Sequence, residues 1–164
     1  MEAVVGADGL WRMAGVQLRA SIGRGGVRGA DKREGDGATP AGPLPLRRVL
    51  YRADRVPRPR AAVPVSPIAP HDGWCDDPAS TDYNRPVRLP HDARCEALWR
   101  EDGLYDVVAV LGWNDAPPVP GRGSAIFLHV ARPDGGPTEG CVALPLRDLQ
   151  AALTAGLTAV RVVA

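Results

Sequence analysis

Residues 126–149 read IFLHVARPDGGPTEGCVALPLRDL. The stretch opens on large apolar and β-branched residues, the composition of a central strand, and that strand carries His129. Pro133, Asp134, Gly135, Gly136 and Pro137 then predict a tight reversal. Gly140-Cys141 follows, just ahead of PLRDLQAALTA, in which Leu146, Leu149 and Leu153 mark an apolar helical stripe opened by Pro145 and stopped by Gly156. A strand and its return, joined by a short reversal, bring His129 and Cys141 toward each other. A thiol nucleophile needs that neighbourhood: an imidazole within reach takes the proton, and a helix N-terminus nearby favours the thiolate. Gly140 lets the chain turn closely, and the N–H groups of Gly140 and Cys141 are candidate donors to a developing oxyanion.

Outward from this stretch the chain reads as β. Residues 3–5, 10–22, 44–51, 105–111, 124–130 and 157–163 have strand composition, with Val16, Leu18 and Ala20 alternating with polar residues. Residues 23–43 form a long loop rich in Gly and charge, and residues 52–80 are Pro-rich and read as irregular, with Trp74 as a loop anchor. Tyr105-Asp106 reads as the start of a strand. The expectation is one domain over 1–164: a mainly β, sandwich- or barrel-like mixed sheet with one helix after Cys141.

Composition excludes several classes. The 164 residues are 45% hydrophobic and 24% charged, as in an ordinary globular domain. A net charge of +1 gives no field for gathering nucleic acid, and no apolar run is long enough to span a membrane. Three cysteines leave at least one free thiol. Residues 1–30 show no signal-peptide pattern, so the chain as it stands is expected in the cytoplasm, and in the periplasm if it is part of a longer, exported protein.

Two motif segments carry a resemblance. Thr138-Glu139-Gly140-Cys141 with His129 upstream resembles the Ser-x-Gly-Cys signature of the YkuD-type L,D-transpeptidases, and GDGATPAG at 35–42 resembles that family's GDxxTPxG loop. Trp113-Asn114 through Gly123-Ser124 leads into the His strand as in such domains. The resemblance spans residues 20–160. It implies that Cys141 attacks the bond between the L-centre of the third stem residue of a peptidoglycan peptide, often meso-diaminopimelate, and the terminal D-Ala. His129 is then the base, oriented by a backbone carbonyl rather than an acid. The thioester goes to an amine, giving a cross-link, or to water, giving a trimmed peptide. No metal or cofactor is implied. The partners are stem peptides or muropeptides, and carbapenems are implied as covalent inhibitors.

The chain departs from the family pattern at three positions: Thr138 for Ser, Glu139 where His is common, and Ala143 where Arg usually follows the cysteine by two residues. The His-to-Cys spacing, 129 to 141, is also short. Arg85, Arg122 and Arg132 are candidates for the missing cation. Thr138, Glu139, Arg132, Tyr83, Asn84 and Arg85 are the expected substrate-side residues, although a loop anchor is the more ordinary role for Tyr83-Asn84-Arg85. Hydrolysis is the favoured outcome, as an L,D-carboxypeptidase of muropeptide recycling, with cross-linking as the alternative. Two readings of another class compete. His71-Cys75 and His91-Cys95 form a pair of H-x3-C units that could hold zinc, and a peptidoglycan-binding module could retain the fold without the chemistry. Gly23-Arg24-Gly25-Gly26 lacks the residues of a phosphate loop and reads as a turn.

Overall fold

The computed structural model describes residues 1–164. Fourteen strands and one helix follow in chain order. The first six are β1 (Glu2–Gly6), β2 (Leu10–Met13), β3 (Val16–Arg19), β4 (Val27–Arg28), β5 (Thr39–Pro40) and β6 (Gly42–Tyr51). Then come β7 (Val65–Pro67), β8 (Asp72–Cys75), β9 (Pro86–Arg88), β10 (Cys95–Ala97), β11 (Val107–Leu111), β12 (Phe127–Val130) and β13 (Val142–Leu144). The helix α1 (Leu146–Thr154) and β14 (Ala159–Val163) end the chain.

The main sheet runs β13-β12-β11-β6-β14-β1-β2-β3, with β7 also beside β6. Its two edges meet. Ser21, just past β3, exchanges both backbone hydrogen bonds with Ala143 of β13, at 2.8 and 2.9 Å. The sheet is thereby almost a closed barrel, and closure satisfies edge groups that would otherwise template aggregation. The parallel pairs β1/β14 and β12/β13 make it mixed.

β11 shows why these strands sit at the centre. All five of its residues are buried. Val107, Ala109 and Leu111 face the main core inside the barrel, and Val108 and Val110 face a second core outside it. An uninterrupted apolar run is what a strand covered on both faces requires. β6 reaches the same end differently. Leu44 and Leu46 face the main core, and so do Val49 and Tyr51, an offset of parity that a bulge near Arg47 absorbs. Helix α1 caps the main core with Leu149, Ala152 and Leu153.

The second core is covered by a small sheet, β10-β8-β9. Its central strand, β8, lies in the segment 52–80 expected to be irregular. Trp74 is in β8 rather than a loop, and packs edge-on against Phe127 with ring centroids 5.2 Å apart. The span 10–22 is a hairpin, not one run. Ala14 and Gly15 have φ of 49° and 78°, the left-handed pair that a two-residue hairpin turn needs. The long loop 23–43 is ordered and contains the β4/β5 ladder. Its organiser is Asp36, which accepts from the Lys32 ammonium (2.8 Å) and from the N–H groups of Arg33 and Ala38 (2.8 and 2.9 Å). Burial opposes its ionisation, yet these donors hold its carboxyl below the usual range.

Candidate active site

β12 and β13 pair in parallel, with Leu128 beside Val142 and His129 beside Ala143. Side chains alternate, so Leu128 and Val142 point into the main core. His129 therefore points the other way, to the side where Phe127 and Cys141 meet the second core. His129 and Cys141 are diagonal neighbours on one face, a separation that long side chains bridge. Both line one cavity of about 590 Å³.

The sulfur is held from two sides. The Phe127 N–H donates to Cys141 Sγ at 3.3 Å, and the thiol donates to the Ala125 carbonyl at 3.2 Å. Ala125 sits at φ 53°. Asn84 fixes it there. Its side-chain oxygen accepts from Ala125 N–H and from the Trp74 indole, both at 3.0 Å, and its amide donates to the carbonyls of Trp113 (2.9 Å) and Asn114 (2.8 Å). Every hydrogen-bonding position of that side chain is used.

His129 Nδ1 lies 2.9 Å from the Val130 carbonyl. A carbonyl only accepts, so Nδ1 carries the hydrogen and Nε2 is left as the acceptor. Burial pushes the imidazole down to about 4, and pushes the Cys141 thiol up to about 12, where Glu96 adds to the effect. The free site thus holds a neutral thiol and a neutral imidazole. Helix α1 does not alter this. β13 intervenes between Cys141 and α1, which packs on the main core, and a helix dipole fades within its first turn. The expected help from a helix N-terminus is absent for that reason.

The turn before the sulfur joins the two motif segments. Thr138 N–H donates to Ile22 (2.9 Å), and Arg24 N–H to Thr138 (2.8 Å). The Thr138 hydroxyl donates to the Cys141 carbonyl at 2.6 Å and accepts from Gly140 N–H at 3.1 Å. The Gly140 N–H is thus engaged, whereas the Cys141 N–H donates to no protein acceptor. Gly140 has φ 136°, and a Cβ there would meet the Ala38 carbonyl at 2.8 Å. Glycine is required at this crossing of the GDGATPAG loop and the TEGC turn.

The other expected site residues divide. Thr138, Glu139 and Arg132 line the cavity. Glu139 pairs with Arg24 at 2.9 Å on the exposed rim, and Arg132 braces the turn through the Pro137 carbonyl at 3.1 Å. Tyr83 and Asn84 are buried behind the cavity. The Tyr83 hydroxyl donates to Glu34 (2.6 Å) and accepts from Gly123 N–H (3.0 Å). Arg85 lines a separate cavity of about 200 Å³, and Arg122 stacks over Trp113 at 5.8 Å. No three His, Cys, Asp or Glu side chains converge as metal ligands. His71 is exposed, and His91 is occupied by Asp82 at 2.9 Å and Ala93 N–H at 3.0 Å, so the zinc reading has no geometry.

Sequence reasoning missed Lys32, Glu96, Arg100 and Tyr105, all of which line the cavity. The Tyr105 hydroxyl donates to Glu96, its ring lies edge-on to His129 with centroids 5.4 Å apart, and the Arg100 guanidinium sits 4.8 Å over the same ring. Burial pushes the Glu96 carboxyl up, against the pull of Tyr105 and Arg100. Tyr105 precedes β11 instead of starting it, which frees its ring to reach the site.

A family model, the L,D-transpeptidase catalytic domain YkuD, matches residues 8–162. No curated protein and no solved structure shows significant similarity to the chain. The match takes in both motif segments and every strand from β2 to β13, along with β14 up to Val162. On that coverage, the chain belongs to the YkuD family of L,D-transpeptidase catalytic domains, cysteine enzymes that act on peptidoglycan.

Proposed function

We propose that Cys141 is the nucleophile and His129 the general base of an L,D-carboxypeptidase that removes D-Ala from stem tetrapeptides. The observation that carries this reading is the shared face of Cys141 and His129 in one cavity, with Nε2 left as an acceptor. Cys141 Sγ attacks the carbonyl carbon of the third residue while His129 Nε2 takes the thiol proton. The free Cys141 N–H is the donor available to the oxyanion. When the carbon–nitrogen bond breaks, His129 returns the proton to the D-Ala amine. Water then attacks the thioester, His129 takes its proton, and the thiol is restored as the tripeptide leaves.

Substrate recognition follows the lining. Ala143 supplies no cation, and of the three candidate arginines only Arg132 borders the cavity. Arg132 would meet a substrate carboxylate, since Lys32 is taken up by Asp36 and Arg100 by Asp102, and Glu96 would meet an ammonium of the diamino acid. The cavity has the size of a site for one small ligand, and water and a second stem peptide are the two acceptors to be told apart. Hydrolysis suits recycled muropeptides in the cytoplasm, whereas cross-linking suits the periplasm, and fractionation of the native host separates them.

Incubation with a disaccharide-tetrapeptide, followed by mass spectrometry, tests the reading. Loss of D-Ala is expected, with a cross-linked dimer as the signature of the transpeptidase alternative. Cys141→Ala should abolish product, and His129→Ala should lower kcat by about 10²–10⁴. A carbapenem should leave one adduct, on Cys141. Full activity in Cys141→Ala would end this mechanism, and a chain that binds muropeptide without turnover or adduct would be a binding module.

A further inference from the structure

A pair of thiols lies outside the site, in the small sheet that roofs it. Cys75 ends β8 and Cys95 opens β10, and the two are direct antiparallel partners. Backbone bonds flank them: Asp76 N–H to the Arg94 carbonyl at 3.2 Å, and Leu98 N–H to the Asp72 carbonyl at 3.0 Å. Hydrogen-bonded pairs alternate along an antiparallel ladder, so 76/94, 74/96 and 72/98 are the bonded positions. Cys75/Cys95 falls between them, at a non-bonded position. There the Cα atoms of such ladders lie about 4.5 Å apart, and the side chains share a face at closest approach. That spacing falls within the range a disulfide spans. Both thiols are free; Cys75 is fully buried, and Cys95 is partly exposed.

We propose that Cys75 and Cys95 are a redox modification site, closing to a reversible cross-strand disulfide within the roof of the cavity. The oxidant is a low-molecular-weight disulfide. Cys95, the accessible partner, loses its proton and attacks one sulfur of that disulfide, forming a mixed disulfide and releasing one thiolate. Cys75 then loses its proton and attacks Cys95 Sγ, which closes the protein disulfide and releases the second thiolate. The two released thiolates take up the two protons. The protein loses two hydrogens and two electrons, and the reagent is reduced to two thiols.

Burial, the adjacent Cys75 and the carboxylates of Asp76 and Asp77 push the Cys95 thiol up to about 11, so exchange is slow. The roof position links the pair to the site. Asp76 follows Cys75, Glu96 follows Cys95, and both line the cavity. Neither cysteine of the pair does. The proposal therefore stands whether or not Cys141 is the nucleophile.

The test uses the full chain under native conditions. It is held folded with excess oxidised glutathione for hours, then unfolded in urea with excess N-ethylmaleimide to block every remaining thiol, and mapped by non-reducing peptide mass spectrometry. A monomer lighter by two hydrogens before blocking is expected, with a peptide joining 75 to 95, maleimide on Cys141 alone, and reversal by dithiothreitol. Cys75→Ser should stop at the mixed disulfide, with glutathione retained on Cys95. Three maleimide adducts after oxidation would overturn the proposal. So would a disulfide that includes Cys141, or one that forms only between chains.

Discussion

Replacing the solvent proton concentration, and nothing else, probes the state of Cys141 most directly. Its thiol is pushed from the ordinary 9 up to about 12, which disfavours the thiolate by about 4 kcal/mol. At any pH below 9 the site then holds about a thousandfold less thiolate than an unperturbed cysteine would. A more basic thiolate is also a better nucleophile, with a Brønsted slope of about 0.4–0.5, which restores part of the loss. The net expectation is alkylation roughly thirty- to sixtyfold slower than in the unfolded chain at the same pH. The logarithm of the rate should climb with unit slope from pH 6 to about 11. Iodoacetamide labelling, quenched at intervals and quantified on the Cys141 peptide, measures this, with the same chain in urea as reference. The reasoning is refuted if labelling is fast and flat between pH 5 and 8. That plateau would mean a preformed thiolate–imidazolium pair, which the low His129 value argues against.

Four further outcomes follow. His129 falls from 6.5 to about 4 on folding, so the unfolded chain binds the extra proton between those values; stability is complete above pH 6.5 and falls by about 3 kcal/mol as pH drops to 4, a loss that urea titrations should find missing in His129→Gln. Asn84→Ala strands four partners and should cost about 3 kcal/mol in chemical denaturation, whereas Arg85→Ala, at an exposed position, should stay within about 0.5 kcal/mol. Gly140→Ala must hold a φ of 136° against the Ala38 carbonyl, and should lose about 2 kcal/mol along with product formation, unlike Gly29→Ala, where φ is not positive and nothing stands within 4 Å of an added Cβ. Glu96→Gln removes a negative charge that raises the Cys141 thiol, so its labelling curve should move to lower pH; a curve that moves up, or stays, would deny Glu96 that influence.

What was legible in the sequence followed the density of local signal. β11 announced itself because a strand covered on both faces must be apolar throughout, and β12 by the large apolar residues on either side of His129. The His129–Cys141 neighbourhood was legible because few residues separate the two, and the reversal between them is written in Pro and Gly. The roof was not. β8, β9 and β10 are three or four residues each, set among prolines and aspartates, and their pairing is specified by tertiary packing. Glu96, Arg100 and Tyr105 arrive on that roof and its exit, so no spacing to Cys141 could have found them. One signal was available. The repeated H-x3-C units did mark a real juxtaposition, of Cys75 with Cys95, but through strand register rather than through a shared metal.

The same register explains how this chain can lose the arginine usual for its family and keep a site. In the β12/β13 pair, position 143 stands directly beside His129, and it is 1% exposed. A guanidinium there would share its surroundings with the imidazole and press its low value lower still. Here position 143 carries only the methyl of Ala143, and among the cations that line the cavity Arg132 has no acidic partner, whereas Lys32 pairs with Asp36 and Arg100 with Asp102. Burial, with the Arg100 cation nearby, already holds His129 low, and Nε2 remains an acceptor at every pH above about 4. The exchange also predicts its own reversal. Ala143→Arg must force a long side chain into a closed position beside His129, so it should destabilise the fold and depress proton transfer together. Restored family-like turnover in Ala143→Arg, without loss of stability, would show that Arg132 does not replace the missing cation.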